Sequence, residues 1–301
     1  MAHPRSPPWL TPGAEDAARS RRTDPELKPM RAAALVFGAS AAVLVLEIIA
    51  GRIMAPYVGV SLDTFTGIIG TALAGIAAGA AIGGTLADSR DPRHLIGPFV
   101  VAGGIFTWIA LPVVDLLVPN LGSGPVAVVM LTSLAFGVPI VALSAVAPMV
   151  AKIRLESLEE TGTVVGNLSA AGTLGALAGT FLTGFVAVSL LPSRPIVLAT
   201  GAGVVAVGIY AWWRLERRVP PVAAWVGIAL AATSALVVPR PCEYETAYYC
   251  VRVEVDDERP SVRNLYLDRR RHAAVDLEDP DFLDIRYVRI LAAVADELDT
   301  G

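Results

Sequence analysis

One ionisable side chain sits in the middle of an apolar block: Glu47, within Leu44-Val45-Leu46-Glu47-Ile48-Ile49-Ala50. A carboxylate at that depth in a bilayer costs at least about 3 kcal/mol unless it is paired or neutralised. Two chemistries answer that cost. Either Glu47 faces a polar cavity, where it binds a cation or exchanges a proton, or it makes a protonated, hydrogen-bonded contact between helices. Arg52 follows five residues later, about 140° around a helix, so the two share no face and Arg52 is expected to snorkel to the boundary. The only cysteines, Cys242 and Cys250, stand close together late in the chain. Seven intervening residues around a bend bring them within disulfide range, with two free thiols as the alternative. His3, His94 and His272 are far apart. No Ser/His/Asp triad, metal-ligand cluster or phosphate-binding loop appears, so no metal and no catalytic residues are assigned.

The elements that must position these residues are membrane helices. Of 301 residues, 54% are hydrophobic and 17% charged, where a soluble domain carries roughly a quarter charged. Blocks of Ala, Val, Leu, Ile and Gly about 20 residues long match the roughly 30 Å of hydrocarbon a helix must cross, and continuous apolar blocks exclude the alternating strands of a barrel. Seven spans are expected, over 32–54, 64–87, 95–118, 124–150, 166–190, 195–213 and 222–239, forming a mainly α, polytopic bundle across 32–240. The fourth, with Pro139 and Pro148, should be kinked. Residues 1–31 read as a disordered tail of mixed charge. The lipid bilayer is the first partner. The net charge of −4 says nothing about nucleic acid, and with no basic patch carrying interleaved aromatics none is assigned as a partner.

Small residues recur at intervals of four on two spans, at Gly75, Gly79 and Gly83 and at Gly175 and Gly179. Such stripes let helix backbones approach closely. Stripes three spans apart point to a 3+3 repeat, the arrangement of half a major facilitator transporter.

Residues 241–301 form a small α+β segment. Glu243 to Glu254 and Val262 to Asp268 alternate as strands about a polar loop at Asp256–Ser261, with a third strand from His272 to Asp276. Asp279-Pro280 reads as a helix start, and the apolar spacing of Ile285, Val288, Leu291, Ala295 and Leu298 continues a helix.

Charge places the two ends. Arg19, Arg21, Arg22, Lys28 and Arg31 precede the first span, and Arg90, Arg93, Lys152, Arg154, Arg214, Arg217 and Arg218 fill alternate loops. Cytoplasmic loops collect such residues. The N-terminus is therefore expected inside the cell membrane, and an odd number of spans sends the C-terminal segment out. Cysteines confined to that segment agree, because disulfides persist in oxidising compartments.

Two stretches carry family likeness. Gly84-Thr85-Leu86-Ala87-Asp88-Ser89-Arg90-Asp91-Pro92-Arg93 resembles the loop motif of major facilitator transporters, through Gly84, Asp88, Arg90 and Arg93, and departs from it at Ser89 and Asp91. Leu46-Glu47-Ile48-Ile49-Ala50-Gly51-Arg52, followed by Ala55-Pro56-Tyr57-Val58-Gly59-Val60-Ser61, resembles the start of bacterial membrane-fused spermidine synthase-like proteins. In those a transporter-like bundle precedes a polyamine synthase or methyltransferase-like domain. The resemblance implies that residues 241–301 are that domain's N-terminal part. Leu265-Tyr266-Leu267-Asp268 would be its strand ending in Asp, with His272 and Tyr287 at substrate-binding positions. Arg289 and Ala293 replace the Glu and His that the synthases carry, which disfavours a polyamine there. The Gly-rich nucleoside loop is missing, so this chain holds no cofactor; S-adenosylmethionine or its decarboxylated form would need a further C-terminal half. Three readings follow: the membrane part of a polyamine synthase or methyltransferase-like system, not catalytic alone; a transporter-like bundle moving or sensing a small cationic solute; and a scaffold docking a methyltransferase-like domain or a second copy of itself.

Overall fold

The computed structural model describes residues 27–122, 124–155, 161–239 and 241–299. Most of the expected tail, including Arg19, Arg21 and Arg22, lies outside the described residues. Among the described residues, six helices have the length and hydropathy of membrane spans: α1 Pro29–Val58, α2 Leu62–Ser89, α3 Arg93–Leu121, α4 Pro125–Arg154, α5 Thr161–Leu190 and α6 Ser193–Glu216. By length and composition the chain is a multi-pass membrane protein. The seventh expected span is a shorter helix, α7 Val222–Val237. Its 16 residues rise about 24 Å, less than the hydrocarbon thickness.

Local chemistry sets the helix details. Pro29 occupies the first turn of α1, where its missing N–H costs nothing, so the helix begins three residues before the expected span. Ser61 caps α2, its hydroxyl accepting from the Thr64 amide at 3.2 Å, one of the orphan donors of a helix start. Prolines interrupt α4 as expected. A π-turn at Ser133–Gly137 precedes Pro139, and the helix breaks at Ala145 ahead of Pro148; each proline removes the N–H that would bond four residues back. The core lies where α1 meets α4, around the fully buried Leu46, Met54, Phe136, Ile140 and Leu143.

Small residues seat two helix pairs. On α2, a Cβ added at Gly79 would press into the carbonyl oxygen of Val141 on α4, and Gly83 lies against Ala145 of the same helix. Gly75 faces Ile140. On α5, Gly175 and Gly179 rest on the backbone at Phe37 and Ala41 of α1.

Polar contacts identify the bundle's two ends. At one, Arg154 donates to the carbonyl of Leu27 at 3.2 Å, Lys152 pairs with Asp88 at 2.6 Å, and His94 approaches Glu216 at 3.4 Å. Lys28, Arg31, Arg90, Arg93, Arg214, Arg217 and Arg218 cluster with these by chain position, making this the basic end. At the other lie the C-terminus of α1, the N-terminus of α6 and the C-terminus of α7, where Arg194 donates to the carbonyls of Val238 and Ala235. Thus α7 runs from the basic end to the opposite one.

The C-terminal segment is a four-stranded antiparallel sheet in the order β1 Tyr244–Glu245, β2 Cys250–Val255, β3 Val262–Leu267, β4 Arg270–Asp276, then α8 Arg286–Asp299. The first expected strand is split in two by the turn Thr246–Tyr249, where the Thr246 hydroxyl accepts the Tyr248 and Tyr249 amides. The last helix begins later than Asp279-Pro280. Asp279 closes only a turn, accepting the Asp281 amide at 3.1 Å, and Asp284 pairs with Arg271 of β4 just before α8 begins.

Two carboxylates brace the sheet, Asp256 in the β2–β3 loop and Asp276 at the end of β4. Asp256 receives the Asn264 side-chain amide and the Arg259 and Glu258 backbone amides, which hold its carboxyl below the usual range. Asp276 is lowered chiefly by the Glu278 amide. A depressed folded-state pKa contributes stability that is full above about pH 4 and is lost as the pH falls through the folded value. Acidification should therefore loosen the β2–β3 hairpin first. The protection factors of the Glu258 and Arg259 amides, taken against the intrinsic exchange rate at each pH, should fall below about pH 4, and Asn264→Ala should weaken that dependence.

Candidate functional site

Between the non-basic end of the bundle and the sheet lies a cavity of about 910 Å³. Its walls are Arg52 and Tyr57 of α1, Asp115 of α3, and Ser193 and Arg194 of α6. Its roof is the disulfide-tied segment, including Glu243, Tyr244, Glu245, Ala247 and Tyr248. Ile48, Leu111 and Leu198 form the floor. The Cα atoms of the bonded Cys242 and Cys250 are 5.2 Å apart, so the roof is a closed loop.

Arg52 fastens that roof. Its guanidinium donates to the carbonyl of Thr246 at 2.6 Å, to the carbonyl of Ala247, and to Glu245 Oε1 at 3.3 Å. Nε reaches the Ser193 hydroxyl at 3.4 Å. Glu245 Oε1 also accepts the Ser193 hydroxyl and, at 2.9 Å, the Ser193 amide at the start of α6. With Arg52 and Glu245 side chains only 17% and 18% exposed, this is a mostly desolvated node joining α1, α6 and the β1–β2 turn. The snorkelling role expected of Arg52 gives way to a clamp, because its guanidinium finds carbonyls of the roof instead of headgroup water.

The charges differ in how far they are engaged. Arg52 and Arg194 are both committed to backbone carbonyls. Asp268 Oδ1 accepts the Cys250 amide at 2.9 Å, and Asp268 takes a left-handed φ of 53°, a conformation Asp tolerates, in the two-residue turn between β3 and β4. Asp115 makes no hydrogen bond or ion pair among the described residues, and Glu243 makes one long bond to the Val253 amide, 3.4 Å. Tyr57 and Asp115 both line the cavity.

Compared with known proteins, the chain matches no family model, no curated protein and no solved structure.

The residues singled out in the sequence do not gather at one site. Glu47 is partly buried, makes no hydrogen bond or ion pair among the described residues and lines neither this cavity nor the open cleft of about 590 Å³ between α2 and α4; its neighbour Ile48 lines the cavity instead. Of the residues assigned by resemblance, Asp268 reaches the cavity, whereas His272 and Tyr287 are exposed on β4 and α8. In the loop motif, Asp88 pairs with Lys152, and a Cβ added at Gly84 would touch nothing within 4 Å. Asp115, Ser193 and Glu245 escaped the sequence reading. The rule that singled out Glu47, an ionisable residue inside an apolar block, applies equally to Asp115.

Proposed function

We propose that the chain is an integral membrane protein whose bundle and C-terminal segment together form a chamber that receives a small cationic solute from the non-cytoplasmic side, for transport or sensing. The observation that carries this reading is the cavity itself. It has the size of a small-molecule pocket, a roof fastened by Arg52, and an unpaired carboxylate, Asp115, on its wall.

The orientation follows from charge. Nearly every Lys and Arg of the bundle lies at the basic end, the cytoplasmic one by the positive-inside rule, which puts the chamber and its disulfide outside. In this reading α7 is a seventh, short span. A 3+3 repeat fits the packing: exchanging α1 with α4 and α2 with α5 turns the α2–α4 contact into the α5–α1 contact. The membrane part of a spermidine synthase-like system is the second reading, favoured by an antiparallel sheet whose third strand ends beside Asp268 and which a helix follows.

The test uses Leu111→Cys. With both native cysteines bonded, this adds the one free thiol, on the chamber floor. In intact cells, 2-(trimethylammonio)ethyl methanethiosulfonate should modify it faster than the sulfonate analogue, and millimolar butylamine should slow the reaction. Asp115→Asn should remove the preference for the cation. A thiol that reacts only after the cells are opened would refute the chamber.

A further inference from the structure

Polarity in the chamber changes along the bundle axis. Glu243, Glu245 and Tyr248 lie in the roof, while Ile48 and Leu111 lie four residues deeper than Arg52 and Asp115, or about 6 Å along their helices. Leu198 lies five residues, about 7.5 Å, inside from Ser193. The chamber therefore passes from carboxylates and hydroxyls to a fully apolar floor within one or two helical turns. Its rim includes Val60, Phe65 and Leu236, which are 56%, 49% and 63% exposed.

A fully hydrated inorganic cation or a compact diamine would leave that floor without a partner. An anionic head would meet arginines already committed to backbone carbonyls and the open carboxylate of Asp115.

From this gradient we infer that the chamber's ligand class is a single-chain amphiphile with an amine head. The head sits at Asp115 beneath the Glu243 side of the roof, and the tail lies against Ile48, Leu111 and Leu198. The inference rests on the chamber reading and adds the tail to it. An amphiphile drawn from the outer leaflet and one arriving from water share this chemistry.

The test is a chain-length series in the full chain carrying Leu111→Cys, reconstituted in phosphatidylcholine nanodiscs. Butylamine, octylamine and octanoate are compared for their ability to protect the thiol from the cationic reagent. Concentrations are corrected for partition into discs that lack protein. Octylamine should protect at a concentration at least tenfold lower than butylamine, and octanoate should not protect. Leu198→Cys, on a different helix, provides the same readout if Leu111→Cys does not fold. Equal potency of butylamine and octylamine would overturn the amphiphile while leaving the chamber standing. Protection by octanoate equal to that by octylamine would overturn the amine head. A thiol that reacts but that no amine protects would defeat both readings. Comparing amine supplied in donor vesicles with amine added from solution separates the two sources.

Discussion

Arg52→Ala should release the disulfide-tied turn from the bundle while leaving the six long helices assembled. The substitution removes charge-assisted bonds to the Thr246 and Ala247 carbonyls and the pair with Glu245, and hydrogen bonds to charged groups contribute about 1.5–3 kcal/mol each. It also leaves Glu245, only 18% exposed, without its cation. Even with partial relaxation, the loss should be about 3 kcal/mol. That is more than a hundredfold in the population of the undocked turn. Hydrogen exchange across Glu245–Cys250 should rise accordingly, with protection inside α3 and α6 unchanged. Arg52→Lys should restore little, because an ammonium cannot reach the separated carbonyls with a planar fork.

The second large effect is expected at the close helix contacts. Gly79→Val should abolish the native bundle, because its Cβ would enter the Val141 carbonyl of α4, and backbone cannot yield as a flexible side chain does. Gly175→Val should act similarly against Phe37 of α1. Overpacking costs about 1–3 kcal/mol where side chains can adjust and more where they cannot. Gly84→Ala, one residue from the same stripe with open space at its Cβ, should be neutral or stabilising by up to about 1 kcal/mol. Thermal unfolding of the purified protein in detergent separates these outcomes. Variants at 79 and 84 that behaved alike would show that the stripe packs against nothing.

The bundle was legible because its information is local. Apolar blocks, prolines and small-residue spacing each act within one helix, and they located the six long helices and the stripes at Gly75–Gly83 and Gly175–Gly179. Helix ends moved by a few residues because caps such as Ser61 and Pro29 override hydropathy at the boundary. The chamber was much less legible. Arg52 and Glu245 are 193 residues apart, and nothing in either neighbourhood announces the other. Glu47 drew attention through its surroundings in sequence, yet one helical position decides which side chain lines a cavity, and Ile48 holds that position. The late start of α8 was not legible either: Asp279 closes a turn, and the helix begins only at Arg286.

The proposed chamber requires the C-terminal segment to lie across the membrane from the basic loops, because only then does it open to the non-cytoplasmic side with its disulfide in an oxidising compartment. Thiol labelling of Cys242 and Cys250 in intact cells, with a membrane-impermeant maleimide before and after an impermeant reductant, tests this directly. The expected result is no labelling before reduction and labelling of both cysteines after it, without opening the cells. Labelling that appears only once the cells are permeabilised would place the segment in the cytoplasm and contradict the account.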